Sequence, residues 1–245
     1  MSDHKSDERR RWEEQFVHDW ATKRWDKERG RSQTAIDSGN HVWLVQASVE
    51  ETAAALAKHA HEWRREVLGS EVVLAEDLCF VVGMRGHTWT SVHKLTYTGF
   101  WFEWLSMLPT AREFSTAIDA DVIAFDIAGT GLEYSWCRKG EALEELSWDH
   151  VKGTFRFSST TRSAPSIEGV HHSTLLDDFL KARDACDIGL KGPYFWDNRP
   201  TKPGQTVLLE NPGFGLYVQG RVVRSVPDFE RVDYLTFDRE PSADS

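Results

Sequence analysis

The sequence predicts an α+β fold: a mixed, mainly antiparallel sheet with helices packed on one face, preceded by a charged N-terminal helix. Three observations predict it. Short runs of bulky and β-branched residues alternate with polar ones at period two, as half-buried strands require. Between them, apolar residues recur at steps of three and four behind a helix-start signature. From His41 to Trp148 the order is strand, helix, strand, strand, helix, strand, strand, strand, which favours a sheet with helices on one side over regular βαβ repeats. The 245 residues, 28.1 kDa, suffice for a sizeable core. Three segments are expected: 1–32, a charged helix; 41–150, the α+β core; and 151–240, a β-rich part packed on the same core.

Trp12, Phe16 and Trp20 recur every four residues and form one aromatic stripe on a helix. That stripe serves either to dock the helix on its own body or to bind a partner. Gly30 to Asn40 is rich in turn formers and reads as a linker. Val42–Val45 is a short buried strand. Ser48, followed three residues on by Glu51, is a capping box. Val49, Ala53, Leu56, Ala57, Ala60, Trp63 and Val67 continue the helical spacing to Gly69. Two apolar runs follow, Val72–Ala75 and Leu78–Val82, and then a strand over Trp89–Leu95. Pro109 marks a helix start, since its missing N–H costs nothing in a first turn, and Ala111, Phe114 and Ile118 carry that helix.

Val122–Phe125 is a further buried run. Leu132, Tyr134 and Trp136 alternate with Glu133, Ser135 and Cys137. Lys139-Gly140 then turns the chain into a hairpin partner over Glu141–Trp148. Thr154–Ser158 alternates again. Thr174, Leu175, Leu176, Phe179, Leu180 and Ala185 give a helix. Residues 189–204 hold Pro193, Pro200 and Pro203 in a long loop, the kind of segment that tends to carry function. Four short strands over 205–237 complete the chain.

The composition excludes several classes. Net charge is −10, and residues 1–32 hold 9 Lys+Arg against 8 Asp+Glu, so the remainder carries 20 against 31, a net of −11. Nucleic acid is not an expected partner, because phosphate neutralisation needs a basic footprint. An anionic membrane surface is equally unexpected. No run approaches the roughly 18 apolar residues of a membrane span, and no signal-peptide core opens the sequence. Cys79, Cys137 and Cys186 are odd in number and widely spaced, which reads as free thiols in a reducing cytoplasm.

Catalytic motifs are missing. Gly129-Thr130-Gly131 and Gly213-Phe214-Gly215 lack the Lys and Ser/Thr of a phosphate loop. No Gly-x-Ser-x-Gly elbow and no His-Glu-x-x-His occurs. His59 and His61, two apart on the expected helix, point to different faces; no metal and no other cofactor is expected. Acids cluster at Asp119, Asp121 and Asp126, and at Glu141, Glu144, Glu145, Asp149 and His150. They read as a solvated charged face, then as an acidic surface for a basic protein, then as a dispersed hydrolase site. Trp101, Trp104, Tyr194, Phe195 and Trp196 join the Trp12/Phe16/Trp20 stripe as candidate contact residues, because Trp and Tyr anchor interfaces.

The stretch from Ala111 to Asp126, followed by Leu132-Glu-Tyr-Ser-Trp and Lys139-Gly140-Glu141, resembles a pattern in uncharacterised bacterial proteins. Some of these resemble immunity proteins of bacterial toxin loci, which bind and neutralise a cognate toxin. The strand and capped helix of His41–Gly69 are similar to the opening of the same families. The resemblance covers about a hundred residues and implies a cytoplasmic protein-binding module that acts by stoichiometric binding. It carries over no functional residue. Two alternatives stand beside it: a structural or adaptor subunit docking through residues 1–32, and a hydrolase with a dispersed acid and histidine site.

Overall fold

The computed structural model describes residues 40–84, 87–97, 102–104, 109–128, 131–149, 151–170, 172–185, 203–209, 215–218, 221–225 and 229–238. The charged helix expected over 1–32 lies outside them, as does most of the 189–204 loop. The described part is sheet-rich and mainly β, and its strands pair antiparallel throughout. Strands β1 (Asn40–Val45), β2 (Glu62–Arg64), β3 (Ser70–Val73), β4 (Asp77–Met84), β5 (Thr90–Tyr97) and β6 (Phe102–Trp104) come first. Then follow β7 (Val122–Ala128), β8 (Gly131–Arg138), β9 (Glu141–Asp149) and β10 (Thr154–Ser159). The last are β11 (Thr206–Leu209), β12 (Gly215–Val218), β13 (Arg221–Ser225) and β14 (Phe229–Phe237). One large sheet has the order β10-β9-β8-β7-β1-β5-β4-β14-β2, with β6 added to β5; β11 pairs with β3 and β12 with β13 in two small sheets.

Helices α1 (Val49–Ala57), α2 (Ala111–Ile118) and α3 (His172–Lys181) divide between the two faces. Val49, Ala53 and Leu56 of α1 and Ala111 and Phe114 of α2 pack with Trp43, Val45, Cys79, Val81, Val92 and Leu235. The residues between those on the same strands point the other way. Val42, Leu44, Phe80, Tyr134, Trp136 and Tyr234 meet Leu175, Leu176, Phe179 and Leu180 of α3. Expecting every helix on one face therefore needs correcting. The two helices within 41–150 share a face, but α3 covers the other, because the alternating strands are apolar on both sides of the sheet centre.

Both early helices begin as their caps dictate. The Ser48 hydroxyl accepts from Glu51 N–H, and the Glu51 carboxylate accepts from Ser48 N–H; Thr110 and Glu113 repeat the arrangement. Pro109 stands outside α2, one residue before the cap. The expected helix to Gly69 is also corrected: α1 ends at Ala57, and Glu62–Arg64 is a strand on β14. His59 and His61 consequently lie beyond the helix. No local breaker stops α1. The stop comes from Asp233, fully buried on β14, which draws Trp63 Nε1–H at 2.9 Å and Glu66 N–H at 3.0 Å. The Lys139-Gly140 turn has positive φ at both residues (50° and 81°), as a two-residue hairpin of matching twist requires.

Candidate functional site

Helices α1 and α2 cover only part of their face. Beyond α2, strands β7 to β10 expose two cross-strand rows. Asp126, Glu133, Ser147 and Arg156 form one row; Ala124, Ser135, Glu145 and Ser158 form the next. These rows floor an open concavity of about 510 Å³. The local reason is the same period two that builds the core. Leu132, Tyr134, Trp136, Leu146 and Trp148 turn toward α3, which sends the polar residues between them to this side.

The floor is mixed but weighted to carboxylates. Asp126 and Glu133 stand directly opposite in register, an arrangement of like charges that costs sheet stability. Glu133 accepts from the Ser147 hydroxyl at 2.6 Å. Glu145 meets Arg112 of α2 at 3.4 Å, with both side chains more than half exposed. Arg156 is exposed and makes no ion pair among the described residues.

The inner wall is Trp43. Phe114 lies against it at 5.4 Å between ring centroids, and Lys94 Nζ sits 3.3 Å from the ring centroid. Lys94 is only 2% exposed and pairs in register with Cys79. Burial holds its ammonium down to about 7 and pushes the Cys79 thiol up to about 12. His93, next along β5, points to the opposite face, where burial lowers it to about 4.

Three other acids are structural, which corrects the expectation of a wholly solvated acidic face. Asp121 accepts from Arg138 at 2.6 and 2.7 Å and from Trp136 Nε1–H at 3.0 Å. Glu144, 1% exposed, holds Arg162 at 2.9 Å, Arg183 at 2.8 Å and the Thr161 hydroxyl at 2.8 Å. The two guanidiniums also lie over the Phe179 and Trp136 rings. Asp233 takes a bidentate Arg231 beside its Trp63 and Glu66 donors. A larger concavity, about 900 Å³, opens near the start of α1, where Arg231, the one arginine or lysine among its described lining residues, is already held by Asp233 and Glu50.

Of the candidate contact residues, Trp104 alone falls within the described residues. Trp12, Phe16, Trp20, Trp101, Tyr194, Phe195 and Trp196 lie outside the described residues. Trp104 is placed on β6 opposite Leu95. Asp126 and Glu145, both in the sequence clusters, do come to the open face. Sequence reasoning missed Glu133, Ser147, Arg156 and Ser158 as neighbours. Alternation marks each as outward-facing, but only the strand register aligns them. Among the described residues no group of three His, Cys, Asp or Glu side chains gathers to hold a metal ion. No helix among them is long and apolar enough to cross a membrane. No family model, curated protein or solved structure matches the chain.

Proposed function

We propose that this protein is a binding module of the immunity type, which captures a basic protein partner stoichiometrically on the open face of β7 to β10. One observation carries the reading: the facing carboxylates Asp126 and Glu133, with Glu145 one row away, on a concave surface that none of the described helices covers. Glu133 and Glu145 hold exposed carboxylates on this surface, where a lysine or arginine from a partner meets them. The net −11 of the body outside residues 1–32 supports the same reading, since unlike charges steer encounter over about a Debye length of 8–10 Å. Trp101, Trp104, Tyr194, Phe195 and Trp196 are proposed as aromatic anchors for a partner, and Trp12, Phe16 and Trp20 as a second contact.

We infer a cytoplasmic site of action. Cys79 and Cys137 are free and buried, the state a reducing compartment maintains. A hydrolase reading draws on the same Asp126 and Glu133 pair, with the Ser147 hydroxyl beside Glu133 and no histidine among the described residues that line the concavity.

The test is kinetic. A partner recovered from native cells is measured against the wild-type chain and against Glu133→Gln/Glu145→Gln, at low and high salt. The expected association rate falls about tenfold with salt or with the double substitution, while dissociation changes little. A rate indifferent to both removes the acidic face from the interface. Turnover of the partner, rather than a lasting one-to-one complex, would move the reading to the hydrolase.

A further inference from the structure

We propose that β10 is a self-association edge, through which two copies of this chain pair antiparallel about a two-fold axis at Phe157 and continue the sheet from one copy to the other. The inference does not rest on the partner proposed above, although Glu145 takes part in both.

β10 ends the large sheet: it pairs with β9, and among the described residues nothing pairs with its outer side. The opposite end, β2, is only three residues long, a common way of blunting an edge. β10 has six residues, Thr-Phe-Arg-Phe-Ser-Ser, with no proline, no lysine and no register shift against β9. Among the described residues it shows none of the usual defences against strand addition except one charge, Arg156.

The direction of its backbone groups follows from one bond. Thr160, the residue after the strand, donates its N–H to Leu143 O at 2.9 Å, so it faces β9. Because antiparallel pairs alternate, Thr154, Arg156 and Ser158 also turn their backbone groups to β9, and Phe155, Phe157 and Ser159 turn theirs outward. Antiparallel pairing centred on Phe157 puts Phe157 against its own copy and Phe155 against Ser159 of the other. That closes about six ladder hydrogen bonds.

The side chains select a second copy as the occupant. In this register Arg156 lies opposite Ser158 of the other chain. Ser158 is small, and on its far side, in register, stands Glu145. Two strand spacings, about 10 Å, separate Arg156 from that carboxylate, within reach of an extended arginine and a glutamate. The symmetry makes the same contact twice, as an isologous interface must. On the other face the half-buried Phe155 and Phe157 of both copies meet across the axis and extend the cluster with Phe179. A basic strand from a different protein would instead set a like charge against Arg156.

The ladder is short, so the dimer should dissociate on dilution. Sedimentation of the full chain, from low micromolar to several hundred micromolar, is expected to show a shift from 28.1 kDa toward twice that mass. Hydrogen exchange should slow at 154–159 over the same range. Arg156→Glu, at an exposed position, should weaken the dimer at least tenfold with an unchanged unfolding midpoint, and Arg156→Glu/Glu145→Arg should recover part of the loss. If Arg156→Glu fails to fold, Ser158→Arg, which faces Arg156 of the other copy, takes its place with the same expected weakening. A monomer at every concentration overturns the proposal. So does a dimer that tolerates these substitutions and leaves exchange at 154–159 unchanged.

Discussion

Lys94 shows at the scale of one residue what burial does to a charge. Its ammonium ordinarily titrates at 10.5, and burial brings it to about 7. Between those values the unfolded chain binds more protons than the folded one, so stability rises with pH from about 7. Above about 9 the Cys79 thiol opposes this, since it ionises in the unfolded chain but is pushed up to about 12 in the folded one. Denaturant titrations from pH 7 to 9 should therefore show rising stability. Lys94→Met should flatten that slope and add about 2 kcal/mol at pH 7, because a buried cation gives way to an apolar chain of similar length. His93 has the complementary window. Buried and lowered from 6.5 to about 4, it contributes stability above pH 6.5 that is lost as pH falls toward 4. Glu144 is a buried charge of the other sign, held by Arg162, Arg183 and the Thr161 hydroxyl. Glu144→Ala leaves the Arg162 and Arg183 guanidiniums without their carboxylate and should cost about 3–5 kcal/mol, read as a shift in denaturant midpoint.

Among the elements, α1 and α2 depend on their caps more than on propensity. Each has fewer than ten residues, too short to stand alone in water. Ser48→Ala and Thr110→Ala should each cost about 1 kcal/mol, and because the two caps share no partner the double substitution should be additive. Thermal melts of the three variants check this, and a marked departure from additivity would mean the helices support each other through their contact. The β8–β9 turn is the strictest element. Gly140 has φ +81°, its N–H donates to the Ser115 hydroxyl at 3.0 Å, and an added Cβ would collide with Thr116 of α2. Both the hairpin and α2 are thus fixed by one glycine.

For the whole molecule, the position of β14 decides how folding must end. The last described strand does not close the sheet at an edge but lies between β4 and β2, pairing Val232 with Val82 on one side and Leu235 with Trp63 on the other. The early strands therefore wait for residues about 150 to 170 positions later, a topology that slows folding. A chain truncated after residue 228 should lose cooperative unfolding altogether, since it leaves β2 unpaired and removes Asp233 from its donors. A truncated chain with a sharp two-state transition would show that β14 is an addition to a core already complete.

The sequence by itself determined what is local. Ser48 and Glu51 fixed the start of α1; Lys139-Gly140 fixed a hairpin; and the alternation of Leu132, Tyr134 and Trp136 with Glu133 and Ser135 fixed which side chains of β8 are buried. Each depends on spacing within one segment, and spacing is written in the chain. The end of α1 was not legible, because Trp63 and Val67 keep helical spacing while Asp233, far away on β14, draws that segment into a strand. Nor did the sequence separate Glu144 and Asp121, buried against arginines, from Asp126, Glu133 and Glu145, which share an open face. A carboxylate is the same in every segment, and only strand register decides whether its neighbour is a guanidinium, another carboxylate or water.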